Sequence, residues 1–288
     1  MKGKKNLERA IVLGLLLSTG LYGSAWATNV PAISNSSRDY DVKDNVIVEA
    51  NTTSDTEDGI GNIILRDEGQ YKVSIKTIGG NIEFEKNNGT GILLADSIAT
   101  GTKVALNASG DIIINAKNGI RGNASARDEK NVSTITLNAQ NNRITAKETA
   151  VYGLGKVDIE LTADKDNVIV TTGKDYAVKT DANSAGILNI TAQDGNNIIM
   201  AEKGTAIRAN GNKVITIKAN NNKDNEENGN NIIIGGENGI QHNEEGKDAD
   251  GQTIVKDANT KYVIIDGKNN VVYGGENGIL SDGTGITI

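Results

Sequence analysis

The 288-residue chain is polar and poor in rings: hydrophobic residues make up 37%, aromatics 3%, and the formal charge is −7. The acid excess argues against a protein built to grip nucleic-acid phosphates, and the shortage of aromatics leaves Ile, Val, Leu and Ala to fill any interior. With no cysteine in the chain, disulfides hold nothing together.

The N-terminus reads as a leader. Lys2, Lys4, Lys5 and Arg9 form a positive stretch, Ala10 to Leu21 is an apolar run, and Ala25-Trp26-Ala27 is a small-x-small cleavage site. These parts in this order predict a secretory signal peptide over residues 1–27, cleaved after Ala27. The apolar run is too short to span a bilayer, which takes about 20 residues. Its removal would take four cations and Glu8 with it, leaving the rest of the chain at −10. Residues 28–45 read as an N-terminal cap or linker.

From about residue 46 a triplet of short strands recurs. Strand I alternates and ends in a small residue, as in Val104-Ala105-Leu106-Asn107-Ala108 and Ile135-Thr136-Leu137-Asn138-Ala139. Strand II follows a Gly/Asn/Asp turn, as in Asp111-Ile112-Ile113-Ile114, Asn167-Val168-Ile169-Val170 and Asn231-Ile232-Ile233-Ile234. Strand III is a small-apolar pair, as in Gly119-Ile120, Ala150-Val151, Ala177-Val178 and Ala206-Ile207. Such β-branched runs are foreign to disordered chains. Aligning Ile75, Leu106, Leu137, Leu161, Ile190, Ile217 and Ile265 gives steps of 31, 31, 24, 29, 27 and 48 residues. The long step holds two polar insertions, at about 219–230 and 243–260.

One such triplet buries too little to fold alone, so successive copies must stack. Like strands then pair in parallel about 4.8 Å apart, and inward Ile, Val and Leu form columns. Small residues in strand III permit a tight corner, and Asn at one turn position can stack as an amide ladder. The predicted fold is therefore all-β: a single-stranded parallel β-helix, or solenoid, of about seven to eight three-strand coils over residues 46–288. A helical repeat is excluded by the period of two. An antiparallel sandwich would not explain the fixed order of the triplet. The last residues, Gly285-Ile286-Thr287-Ile288, read as the start of another strand I. The solenoid is thus expected to be incomplete there, with an open edge available for end-to-end contact.

The repeated Gly-Gly-Glu-Asn-Gly-Ile at 235–240 and 274–279, the Asn-Asn-x-Ile turn–strand units and the leader together resemble passenger regions of Gram-negative autotransporters. The resemblance covers about residues 40–288. It implies a right-handed β-helix displayed at the cell surface, often for adhesion, held there by a C-terminal outer-membrane barrel. No barrel segment is recognisable in this sequence. Attachment to the membrane is expected only through a missing or separate barrel, with a periplasmic location if none exists.

Motifs for chemistry are sparse. Gly235-Gly236 and Gly274-Gly275, with Asp282-Gly283-Thr284-Gly285, lack the nine-residue period and Asp of calcium-binding repeats. A polysaccharide lyase or hydrolase needs converging carboxylates. Asp164, Asp166 and Asp194, with Lys165, fall near one turn of neighbouring coils, but turns favour Asp for backbone hydrogen bonding. Aromatic platforms for sugar are scarce. His242, the one histidine, stands beside Glu244 and Glu245 and reads as a solvated loop residue. There is no glycine loop followed by Lys-Ser/Thr for phosphate. Asn107-Ala108-Ser109 and Asn131-Val132-Ser133 are sequons that follow from Asn and Ser richness.

The expectation is an exported surface or extracellular protein for structure or interaction, not an enzyme. No catalytic residue, cofactor or metal site is expected. Its partners would be a host-surface glycan or protein, or neighbouring bacterial cells, and not nucleic acid. The insertions at 220–230 and 243–260 are the candidate contacts. A polysaccharide-degrading enzyme on the same fold is the alternative.

Overall fold

The computed structural model describes residues 27–52, 60–95, 98–123, 132–181, 186–210, 214–220, 229–242, 246–247, 253–254, 263–281 and 286–288. Among them there is no helix. Three nine-stranded sheets carry the structure, and every pairing within them is parallel. The chain visits the sheets in rotation, so each coil gives one strand to each. Coils stacked at about 4.8 Å make a rod on the order of 40 Å long.

Sheet I holds the alternating strands. Its register pairs Ile75 with Leu106, Leu106 with Leu137, Leu137 with Leu161, Leu161 with Ile190, Ile190 with Ile217, and Ile217 with Ile265. This is the alignment that the spacing predicted, residue for residue. A parallel register keeps each inward side chain over its counterpart, since a slip of one residue would turn the whole strand inside out. The Leu and Ile of this column are buried.

Sheet III begins the third side of each coil. Ile63, Ile92, Ile120, Val151, Val178, Ile207 and Ile240 form its inward column, each fully buried. Just before them run the small residues Gly119, Ala150, Ala177 and Ala206 at the corner. At Gly119 an added Cβ would lie 2.4 Å from the Ala150 carbonyl oxygen of the next coil. The corner is tight because two backbones meet there.

Nine strands per sheet exceed the seven to eight coils expected, because the N-terminal segment joins the stack. Ala27–Val30, Ile33–Ser34 and Arg38–Val42 give the first strand of sheets II, III and I respectively. Residues given above to a cap or linker thus also form a coil. A second strand unrecognised in the sequence is Asn141–Ala146 in sheet II. Arg143 breaks its apolar run, and the structure turns Arg143 outward to pair with Asp111, Nε to Oδ2 3.1 Å.

The anticipated asparagine ladder is two adjacent ladders. In the outer one, side-chain oxygens cap the next coil: Asn81 N–H donates to Asn45 Oδ1 at 2.8 Å, Asp111 N–H to Asn81 Oδ1 at 2.8 Å, and Asn196 N–H to Asp166 Oδ1 at 2.8 Å. The inner one starts at Asn142 and is buried. Asn142 donates to Asn167 (2.9 Å), Asn167 to Asn197 (2.9 Å), Asn197 to Asn231 (2.8 Å) and Asn231 to Asn270 (2.8 Å). Each amide spends its second N–H on a strand I carbonyl: Thr162, Thr191, Lys218 and Asp266 in turn. In the preceding coil Ile112 stands opposite Asn142, so nothing there can donate, and Asn142 Oδ1 is buried without a partner.

Of the insertions, 221–228 and most of 243–262 lie outside the described residues, as do residues 1–26. Within the second insertion, Gly246–Lys247 and Thr253–Ile254 pair antiparallel.

Candidate functional site

The three carboxylates considered for glycan cleavage do not share one role. Asp166 Oδ1 accepts both the backbone N–H (2.8 Å) and the side-chain amide (3.2 Å) of Asn196, as a rung of the outer ladder. Asp164 and Asp194 are exposed and joined through the main chain, Asp194 N–H donating to the Asp164 carbonyl at 2.8 Å. Lys165 is exposed beside them and donates its backbone N–H to the Gln140 carbonyl at 2.9 Å. The turn geometry accounts for these contacts.

His242 is not a loop residue. It ends the strand Asn238–His242 of sheet III, is 1% exposed, and its Nδ1 lies 3.3 Å from Ser281 Oγ of the next coil. Its position is inward: Thr180 and Ala209 precede it in the same column, each closing its strand. Strand III runs two residues further than its small-apolar pair suggests, and that carries His242 into the core. Glu244 and Glu245 lie outside the described residues. Among the described residues no three His, Cys, Asp or Glu gather to hold a metal.

The chemistry that does gather is on the outer face of sheet III. The residue after each inward Ile or Val points outward, and register places Arg121 beside Tyr152, Tyr152 beside Lys179, Lys179 beside Arg208, and Arg208 beside Gln241. Tyr176, from the corner before Lys179, joins this column. The rings and cations interleave. Lys179 Nζ is 4.5 Å from the Tyr152 ring centre and 5.4 Å from that of Tyr176. The Arg121 guanidinium is 5.8 Å from Tyr152, and that of Arg208 is 5.2 Å from Tyr176. Such contacts are worth about 0.5–2 kcal/mol each, more where water is excluded.

Hydrogen bonds tie the ladder together. The Tyr152 hydroxyl donates to Asp181 Oδ2 at 2.7 Å, Lys179 Nζ donates to the Tyr152 hydroxyl at 3.2 Å, and Arg208 donates to the Tyr176 hydroxyl at 2.5 Å. Lys179 and Asp181 form an ion pair at 3.8 Å. Burial, then the hydrogen bond and charge of Asp181, push the Tyr152 phenol above its ordinary range. Burial also holds the Lys179 ammonium below its usual value; Arg208 and Arg121 add to this, and Asp181 and Asp175 oppose it. The column is therefore a half-buried array in which a lysine is crowded by other cations.

This cluster escaped the sequence reading because its members lie about one coil apart in the chain. A signal was present: once the strand III pairs are aligned, the following residue in each reads Arg121, Tyr152, Lys179, Arg208. No protein-family model matches the chain, and neither does any curated protein or solved structure.

Proposed function

We propose that this chain is an exported interaction module: a rigid rod displayed at the cell surface, of the autotransporter-passenger kind, serving adhesion or surface display without catalysis. The observation that carries the reading is the unbroken register of three nine-stranded sheets. A solenoid stacked in this way is stiff along its axis, and it offers faces and insertions to partners while its interior stays dry. The leader-like residues 1–27 support export. A hold on the outer membrane would come from a β-barrel outside the solenoid, and the protein would be periplasmic without one. The part that Asp166 plays in the outer ladder supports a binding role over glycan cleavage.

Export is tested by labelling intact cells that express the full chain with a membrane-impermeant reagent or an antibody. Labelling without lysis is the expected result; a chain confined to the cytoplasm overturns the reading. Catalysis is tested by incubating the purified protein with polysaccharides and following chain length. Degradation that disappears in an Asp166→Ala, Asp194→Ala variant of intact fold would replace the binding reading with the enzymatic one.

A further inference from the structure

We infer that the Arg121–Tyr152–Lys179–Arg208 column on the outer face of sheet III binds an extended acidic polysaccharide, its carboxylate or sulfate groups lying along the rod axis. The inference rests on the interaction reading above and names the ligand class for it.

Three observations carry it. The first is an arrangement that costs stability and that folding does not require. Lys179 and Arg208 stand directly opposite in adjacent coils, and like charges so placed repel. A parallel sheet can put any polar residue on its outer face, yet this one stacks cation on cation. The second is how the cations are held. Tyr152 and Tyr176 flank Lys179, and the Tyr176 hydroxyl accepts from Arg208, so much of the fixing is done by rings. Asp181 is the carboxylate that touches Lys179 and Tyr152. Arg208 Nε is buried and has no hydrogen-bond partner. Ring and phenol contacts hold the Arg208 guanidinium without cancelling its charge, whereas a carboxylate, as Asp181 is to Lys179, would neutralise it. The third is contrast: the chain as a whole carries −7, so a column of three cations is a local reversal of sign.

Spacing chooses among anions. Rungs repeat at about 4.8 Å, close to the advance of one sugar along an extended chain, so a polymer with a charge on each sugar or every second one can meet successive coils. Nucleic-acid-binding domains are as a rule basic overall, and this chain, at −7, is not. Membrane surfaces are held by clusters of about 4–8 basic residues beside a helix or on one, whereas this column is one residue wide on a flat sheet.

The test uses the purified full chain and affinity electrophoresis or calorimetry with four probes: polygalacturonate, heparin, neutral dextran, and anionic phosphatidylserine vesicles. Binding to polygalacturonate or heparin, weakened by salt, is expected; the two arms separate carboxylate from sulfate recognition. Carboxyl-reduced polygalacturonate, which is uncharged, should not bind, and this arm needs no variant. A Lys179→Gln, Arg208→Gln double variant should lose about tenfold or more in affinity, equivalent to about 1.4 kcal/mol. Lys179→Arg should retain binding, and Lys218→Gln on sheet I should change nothing. Equal binding to dextran, no binding to either acidic glycan, binding to vesicles alone, or equal losses at Lys218 would overturn the inference. These measurements are made on isolated protein and the surface labelling on cells, so failure of one is distinguishable from failure of the other.

Discussion

An asparagine in the interior costs least when both its donors and its acceptor are used. Asn197 meets that condition: it accepts from Asn167 and donates to Asn231 and to the Lys218 carbonyl. Asn142, at the start of the ladder, does not, because its oxygen has no donor. Each buried polar group left unsatisfied costs about 1–3 kcal/mol. Asn197→Leu strands three such groups and should cost about 3 kcal/mol or more. Asn142→Leu strands two, the Asn167 oxygen and the Thr162 carbonyl, while deleting an oxygen already stranded, so it should cost about 1–2 kcal/mol less. Denaturant midpoints of the two variants check this. Equal losses would mean that the inner ladder does not act as a chain of directed bonds.

Elements here are held by columns more than by their own propensity. The sheet I strands would each be marginal alone, and their Leu and Ile gain burial only from the coils above and below. Strand III depends on a narrow corner. Gly119→Ala would put a methyl group 2.4 Å from the Ala150 oxygen and 2.6 Å from Ile144 Cγ2. The sheet spacing is fixed by hydrogen bonds on both sides and cannot open for it. A loss of about 1–3 kcal/mol is expected, the usual size for overpacking, although Gly-to-Ala is often favourable where the backbone has room. A thermal melt no lower than that of the parent would show that this corner is looser than its geometry implies.

At the scale of the molecule, stability should follow whole coils. Asn167 and Asn197 are in register, so deleting residues 167–196 joins Asp166 to Asn197 and removes one turn of the helix without shifting any column. Nearest-neighbour stacking predicts a soluble protein with the same strand-rich far-ultraviolet circular dichroism and a lower melting point. Deleting 167–181 instead would join sheet I to sheet I and leave sheets II and III one strand short, and that protein should not fold. Similar outcomes for the two deletions would argue against a stack of equivalent turns.

Much of this architecture was legible because its causes are local and repeated. Alternation set which face of strand I is buried, the 24–31-residue steps located the copies, and small residues marked the corner. The column from Ile75 to Ile265 needed no coordinates. What the chain alone did not reveal depends on neighbours distant in sequence. The inner ladder begins at Asn142, because Asn141 and Asn142 offer two adjacent candidates and only the coil above, with Asp111 and Ile112, decides which faces in. The strand Asn141–Ala146 was hidden by Arg143, whose charge is satisfied across coils by Asp111. His242 looked like a loop residue because strand III shows in the sequence only as its small-apolar pair, whereas in this coil, as in the coils before it, the strand runs two residues further. The cation–tyrosine ladder joins residues about one coil apart that pack only when coils stack. Periodic burial is a property of short segments and survives in sequence; register and cross-coil pairing are properties of contact, and only the folded stack supplies them.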